Sequence, residues 1–448
     1  MGNLIQSLID KHFATLNGEL LVGAVGVSAL AEKFGTPSFL YDCKVFDKKL
    51  DELRGALPPS FSVCYSVKAN PNPLVLRHFL SRGCGLEIAS VGEFNRGLEA
   101  GCPPELMLFA GPGKTVAELE AVIAGGIGEI HLESTTEAHR VSSISRRLGV
   151  RTRVALRVNP SAEAEGGAMR MGGRPTPFGM DEEILGSVLD LILENEALEF
   201  RGIHLFTGTQ ILDAKLLVNQ YRHGLAIARR VVIRIGAPIK RLDFGGGIGI
   251  PYFPHEKELD LTELRSALST IFTEIESDPA FSGTEFLVEP GRFLAGEAGV
   301  YLARINDIKV SRGKKFIVLD GGMNHHLAAS GNLGQTIKRN YPVALLNKLN
   351  AEPAEVVDVV GPLCTPLDTL ARNVTLPRAE IGDLFGIFQS GAYGLSASPM
   401  GFLSHPIPAE VFVSNGEARL ALAASPCAEG SVRSSFEGSS VTSDSSNL

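Results

Sequence analysis

From residue 61 to residue 292 two hydrophobic rhythms take turns along the chain. Short apolar runs predict strands at 61–67, 85–89, 106–110, 127–133, 154–159, 200–207, 241–244 and 285–289. Between them apolar positions recur every three or four residues and predict helices, for example at 74–80, 117–124, 137–148, 184–193, 216–231 and 261–275. In the first run Phe61, Val63, Tyr65 and Val67 alternate with small residues, and Pro71 and Pro73 forbid its continuation. Strand and helix in alternation build a parallel sheet, and eight such units over about 230 residues have the size of a (β/α)8 TIM barrel. Beyond it, segments at 300–308, 315–319, 356–360, 383–387, 411–413 and 418–423 read as short strands of a β domain. Leu4, Ile5, Leu8, Ile9 and Phe13 form one face of a short helix, and the stretch ending Pro37-Ser38-Phe39-Leu40-Tyr41 is expected to pair with that β domain. The expected organisation is therefore 1–42 as an N-terminal segment, 43–294 as the barrel and 295–427 as the C-terminal β domain. Residues 428–448, rich in Ser with Gly and Asp, have little to bury and are expected to be a disordered tail.

A TIM barrel places its chemistry at the carboxyl ends of its strands. In this chain those ends are polar: Lys68; Glu87 and Ser90; Gly111-Pro112-Gly113-Lys114; Glu133; Arg157 and Asn159; Thr207-Gly208-Thr209-Gln210; Gly245-Gly246-Gly247; and Glu289-Pro290-Gly291-Arg292. Lys68 at a strand end is either a rim charge or, where desolvated, a Schiff-base former. The convergence of a lysine, two glycine-rich turns and several acids on one rim favours the second reading.

Composition narrows the class. With 44% hydrophobic and 21% charged residues the 448-residue chain is an ordinary globular one. A formal charge of −8, a pI near 5.8 and no dense Lys/Arg block argue against nucleic acid. No apolar run approaches a membrane span. The six cysteines, 43, 64, 84, 102, 364 and 427, lack zinc or disulfide spacing, which fits a reducing cytoplasm. No metal is expected: adjacent His325 and His326 on a strand face opposite ways, and both are read as surface or pocket residues.

Two motifs look like nucleotide loops and fail the test. Gly245-Gly246-Gly247-Ile248-Gly249 breaks the G-x-G-x-x-G pattern at Ile250, with Pro251 next; Gly111-Pro112-Gly113-Lys114-Thr115 has Leu108 where a P-loop needs its first glycine. The glycine run is then a tight turn or a cradle for a single phosphate. Glu289 beside such a cradle calls for a cation between them, and a protonated pyridine is one. Lysine, phosphate turn and acid together fit pyridoxal phosphate.

Tyr65-Ser66-Val67-Lys68-Ala69-Asn70, Leu242-Asp243-Phe244-Gly245-Gly246-Gly247, Glu289-Pro290-Gly291-Arg292, Gly361-Pro362-Leu363-Cys364 with Asp368, and Gly391-Ala392-Tyr393-Gly394 resemble the signatures of the fold-type III pyridoxal-phosphate decarboxylases of ornithine and diaminopimelate. The resemblance covers all but the tail and implies an alanine-racemase-like barrel with a C-terminal β domain. It also implies that Lys68 carries the cofactor aldehyde, that Glu289 holds the pyridine nitrogen, and that the glycines, Arg292 and Tyr393 hold the phosphate. Glu87, Arg157, Phe206, Thr209 and Gly291 complete the expected cofactor site; Thr365, Asp368 and Arg292 are the expected substrate residues. Cys364 would act as proton donor from the partner subunit of a homodimer.

Departures from the family pattern point to one branch. Phe206 replaces the histidine that stacks on the ring, Glu87 replaces an aspartate, Thr365 replaces the acid after the cysteine, and Pro177 stands before Phe178-Gly179 where a lysine is usual. With Pro251-Tyr252-Phe253 and Gly322-Met323-Asn324-His325-His326, these look most like the butirosin-pathway branch, whose member decarboxylates glutamate tethered to an acyl carrier protein. The expected activity is α-decarboxylation of an amino acid, free or on a carrier protein, in a biosynthetic pathway. The alternatives are a diaminopimelate, ornithine or lysine decarboxylase, a racemase on the same barrel, and a non-catalytic cofactor-binding regulator.

Overall fold

The computed structural model describes residues 2–161, 169–170, 175–206 and 208–422; the tail at 428–448, Cys427 and Thr207 lie outside the described residues. Eight parallel strands close on themselves: β1 Phe61–Ser66, β2 Gly85–Ile88, β3 Met107–Phe109, β4 Glu129–Leu132, β5 Thr152–Asn159, β6 Leu198–Leu205, β7 Arg241–Asp243 and β8 Glu285–Val288. Closure is made where β8 pairs with β1, Phe286 opposite Phe61. Each predicted strand is present, a residue or two shorter at some ends.

The helices start where side chains cap them, directly after the rim. Asn72 accepts from the Leu74 amide with Pro73 in the first helical position. Ser90 accepts from the Glu93 amide, and Thr115 forms a capping box with Glu118. The helix Val91–Glu99 packs through Phe94 and Gly97; a Cβ on Gly97 would come within 2.6 Å of the Met107 sulfur.

Alternation inside the barrel decides what the site stands on. Outward residues such as Tyr65, Leu86, Phe109, Ile130, Leu156, Ile203, Leu242 and Val288 join the main apolar core under the helices. Their neighbours one position away form the barrel interior, which is unusually polar: Glu129, His131, His204 and Asp243 are all buried there, beside a small apolar cluster of Cys64, Leu108 and Leu287.

The strand Ser38–Asp42, buried along its length, lies at the centre of the C-terminal sheet, antiparallel to Gly299–Ser311 on one side and parallel to Ala409–Ser414 on the other. The helix Gly2–His12 places Leu8 and Ile9 in the same small core as Leu40 and Val411. Two further strands, Val343–Leu345 and Thr369–Leu376, were not legible in the sequence. The first is three residues long, and the second is interrupted by Asn373 at φ 47°. Among the described residues no helix is long and apolar enough to cross a membrane.

Candidate active site

A cavity of about 650 Å³ opens at the carboxyl ends of the strands, within the usual size range of small-molecule sites. Lys68 stands just past β1 and lines it; the side chain is 45% exposed. Its Nζ lies 3.0 and 3.1 Å from the two oxygens of Glu87, at the end of β2, and Ser66 donates to Glu87 at 2.5 Å. Burial opposes the ammonium, but Glu87, then Tyr393 and Glu289, outweigh it and raise the lysine above its ordinary value.

Arg157, at the end of β5, is locked at 2.7 Å onto Glu133 from β4, whose other oxygen takes the Gly179 amide. Against its own burial, Glu133 is held below the usual carboxylate range by Arg157 and then Lys114. The guanidinium so fixed sits 5.8 Å from the Phe206 ring and 5.0 Å from Phe178. Lys114 belongs to the scaffold, donating to Gly111 O, His131 O and Glu137.

A small side chamber off the cavity is bounded by Ser66, Thr209, Gly246, Gly247, Gly291, Arg292 and Tyr393. Glycine is required here by close approach: a Cβ on Gly246 would fall 2.5 Å from Glu289 O, and one on Gly247, at φ 101°, 2.5 Å from Gly208 O. Among the described residues the amides of Gly246 and Gly247 find no partner. Tyr393 arrives from the C-terminal domain in the left-handed region, φ 54°, with its amide on Ala69 O at 2.7 Å, so the two domains meet beside Lys68. Arg292 lies 4.6 Å from the Tyr393 ring and donates to the Tyr252 hydroxyl.

Cys364, Thr365 and Asp368 do not line this cavity. Cys364 is exposed on the loop after Glu355–Val360. Asp368 is 2% exposed and accepts the Met323 and Leu363 amides at 2.7 and 2.9 Å. Its carboxylate thus holds the turn that carries Cys364. His325 and His326 are neither surface nor pocket residues: both are buried in a turn, one near the Tyr301 hydroxyl and the other against Ser390.

Glu289 forms part of the cavity floor, and three groups that sequence reasoning missed surround it. His204 from β6, His131 from β4 and Asp243 from β7 bring donor atoms that, with one from Glu289, all lie within 4.8 Å of one another. The available signal was a polar residue at every second position of otherwise apolar strands.

The chain fits pyridoxal phosphate on three observations: an amine beside a carboxylate in the cavity, a side chamber with unpartnered glycine amides, and a buried acid lining both spaces.

The family described as pyridoxal-dependent decarboxylase, pyridoxal binding domain, matches residues 44–296. The chain is 37% identical over 397 residues to a Niallia circulans protein named L-glutamyl-BtrI acyl-carrier protein decarboxylase, covering 88% of this chain and 92% of that one. It is 32% identical over 410 residues to the diaminopimelate decarboxylase of Aquifex aeolicus, covering 90% and 93%. Among solved structures, the diaminopimelate decarboxylase of M. jannaschi superposes with a TM-score of 0.84 at 25% identity over 92% of this chain and 95% of that one.

Proposed function

The chain belongs to the pyridoxal-dependent decarboxylases, and from that premise we propose that it removes the α-carboxylate of an amino-acyl group, glutamyl or similar, tethered by its far end to an acyl carrier protein. Pyridoxal phosphate is the cofactor. When bound, it supplies a sink for the electron pair left on the α-carbon as CO2 departs.

The residues of this chain do the holding. Lys68 would hold the cofactor through its aldehyde, and Glu87, 3.0 Å away, would orient its Nζ. The amides of Gly246 and Gly247, with Gly291, the Arg292 backbone and Tyr393, hold the phosphate, and Glu289 faces the ring nitrogen. Phe206 supplies an apolar face that excludes water and donates no proton. In this reading the working unit is a homodimer, and Cys364 of the partner subunit returns a proton to the α-carbon, because no thiol among the described residues lies on the wall of one chain's cavity.

The state of the cavity's other charges carries the substrate reading. Beyond the cofactor's own set, the described wall has Lys114, Glu118, Arg157 and Glu256, and each is committed within the chain. Lys114 is bonded to Glu137 and two carbonyls, Glu118 caps a helix, Arg157 is paired with Glu133, and Glu256 takes the Tyr252 and Phe253 amides. A distal ammonium buried here without a partner is costly, and a distal carboxylate would find on the described wall, beyond these groups and Lys68, only the Arg292 guanidinium, which already donates to the Tyr252 hydroxyl. An uncharged acyl linkage needs no such partner. At the mouth, Arg339 lies over Phe253, 5.5 Å from its ring, and offers a positive group to an acidic carrier.

The test is to incubate the purified enzyme with free and carrier-bound amino acids while following CO2 and product mass. The carrier-linked glutamyl substrate is expected to react much faster than free ornithine, lysine or diaminopimelate. A kcat/KM above about 10⁴ M⁻¹s⁻¹ on free diaminopimelate would overturn the carrier reading and leave the decarboxylase standing.

A further inference from the structure

We propose that Asp243 is a protonated positioning residue, whose carboxyl donates its hydrogen to Glu289 and thereby keeps Glu289 the anion that faces the cofactor's ring nitrogen. The inference rests on the cofactor and not on the substrate reading.

Both carboxyls are buried, Asp243 at 0% and Glu289 at 5% exposure, and each brings an oxygen to a cluster whose atoms all lie within 4.8 Å of one another. Asp243 Oδ1 takes the Gly245 amide at 2.7 Å, which anchors the residue to the glycine turn. Its Oδ2 and Glu289 Oε1 are each buried without a conventional donor. Two facing carboxylates cannot both stay ionised in a dry interior, and one shared proton satisfies both orphaned oxygens.

The surrounding groups decide which acid keeps it. His131 Nε2 lies 3.2 Å from Glu129, itself paired with Arg241, and 3.9 Å from Asp243 Oδ2, while its Nδ1 lies 3.9 Å from Glu289, beyond hydrogen-bond reach. His204 Nε2 is 3.3 Å from Glu289 but poorly aligned to donate, and burial pushes this histidine's pKa down to about 4. Neither ring therefore supplies Glu289 with a good hydrogen. Burial first, then the Glu289 charge, lifts Asp243 well above the carboxylate range. Glu289 is held low against its own burial by His204 when that ring is protonated, by His131 and by the Asp243 hydrogen bond; with His204 neutral the Asp243 hydrogen bond carries more of it. Cys64 is the remaining titratable neighbour, and burial raises its thiol and keeps it neutral. A carboxylate has about four acceptor sites, so Glu289 can take the Asp243 hydrogen and the ring N–H together.

The decisive comparison is Asp243→Asn against Asp243→Ala in the holoenzyme. Asn keeps an oxygen for the Gly245 amide and an N–H for Glu289, whereas Ala keeps neither. Asn is expected to hold cofactor affinity within about threefold, and Ala to weaken it by about 10- to 100-fold, the worth of one hydrogen bond to a charged group. At pH 8 the infrared spectrum of the wild type minus that of Asp243→Asn should show a protonated-carboxyl stretch that shifts in D2O. That measurement stands even if the Ala variant does not fold. Loss of affinity in Asn equal to that in Ala, or no carboxyl band in the difference spectrum, would show an ionised Asp243 and overturn the proposal. So would a stoichiometric metal in the purified protein whose removal alters the same band.

Discussion

Asp368→Ala separates the framework of the Cys364 loop from the cofactor site. The carboxylate accepts two buried amides, Met323 at 2.7 Å and Leu363 at 2.9 Å, and both lose their partner in the variant. Hydrogen bonds to a charged group contribute about 1.5–3 kcal/mol each, so the gross loss is about 3–6 kcal/mol. Water entering the vacated space recovers part of it, leaving about 2–4 kcal/mol. Unfolding entropy near 2.1 cal/mol/K per residue over about 410 described residues is roughly 0.9 kcal/mol/K, so the melting temperature should fall by about 2–5 °C. Activity should suffer more than stability, because the loosened turn carries Cys364, and a misplacement near 1 Å costs up to about 10²-fold. The assay pairs a thermal melt with cofactor titration and turnover on the same preparation. The expected pattern is a modest melting shift, an unchanged cofactor dissociation constant and a fall in kcat. Weakened cofactor binding with kcat intact would refute the reasoning and place Asp368 at the cofactor.

Borohydride treatment of the holoenzyme should remove a visible absorption band and join the cofactor to Lys68; a labelled peptide containing any other lysine would end that assignment. Cys364→Ala should slow turnover by about 10²- to 10⁴-fold and send some protons to the cofactor, giving an aldehyde product; an unchanged rate and product would reduce Cys364 to an ordinary thiol. Mixing Lys68→Ala with Cys364→Ala chains should restore about a quarter of wild-type activity if sites are shared across a dimer, since half the dimers are mixed and each has one intact site. Glu93, next to the Lys68–Glu87 pair, is raised from its ordinary 4.5 to about 7, by burial first and then by Glu87. The unfolded chain releases this proton first, so the group subtracts stability progressively as pH rises from about 4.5 to about 7, by at most about 3 kcal/mol before solvent screening. Glu93→Gln should therefore melt above the wild type at pH 8 and lose that advantage by pH 5; an advantage that grows on acidification would contradict the sign.

The repeating strand and helix units, and the rim residues from Lys68 to Arg292, were legible from the amino-acid sequence because the forces behind them are local. Side-chain period, proline breaks, capping by Asn72, Ser90 and Thr115, and glycine turns act within a few residues of chain. Barrel closure is another matter. Glu129, His131, His204, Asp243 and Glu289 come from β4, β6, β7 and β8, and only the register of neighbouring strands brings them to one buried point on the axis. Their charges are tolerable there because they compensate one another, a property of the set that no single segment carries. Pairing of the Ser38–Asp42 stretch with the β domain was expected from the sequence, but its central place, between segments far along the chain, was decided only by packing. Cys364 lies off its own chain's cavity, and Asp368 turns inward, because the loop joining them is held by amides at Met323, some forty residues away. Short-range preference chose the elements and the residue types on the rim; long-range packing chose which of those residues share a proton, a cavity or a loop.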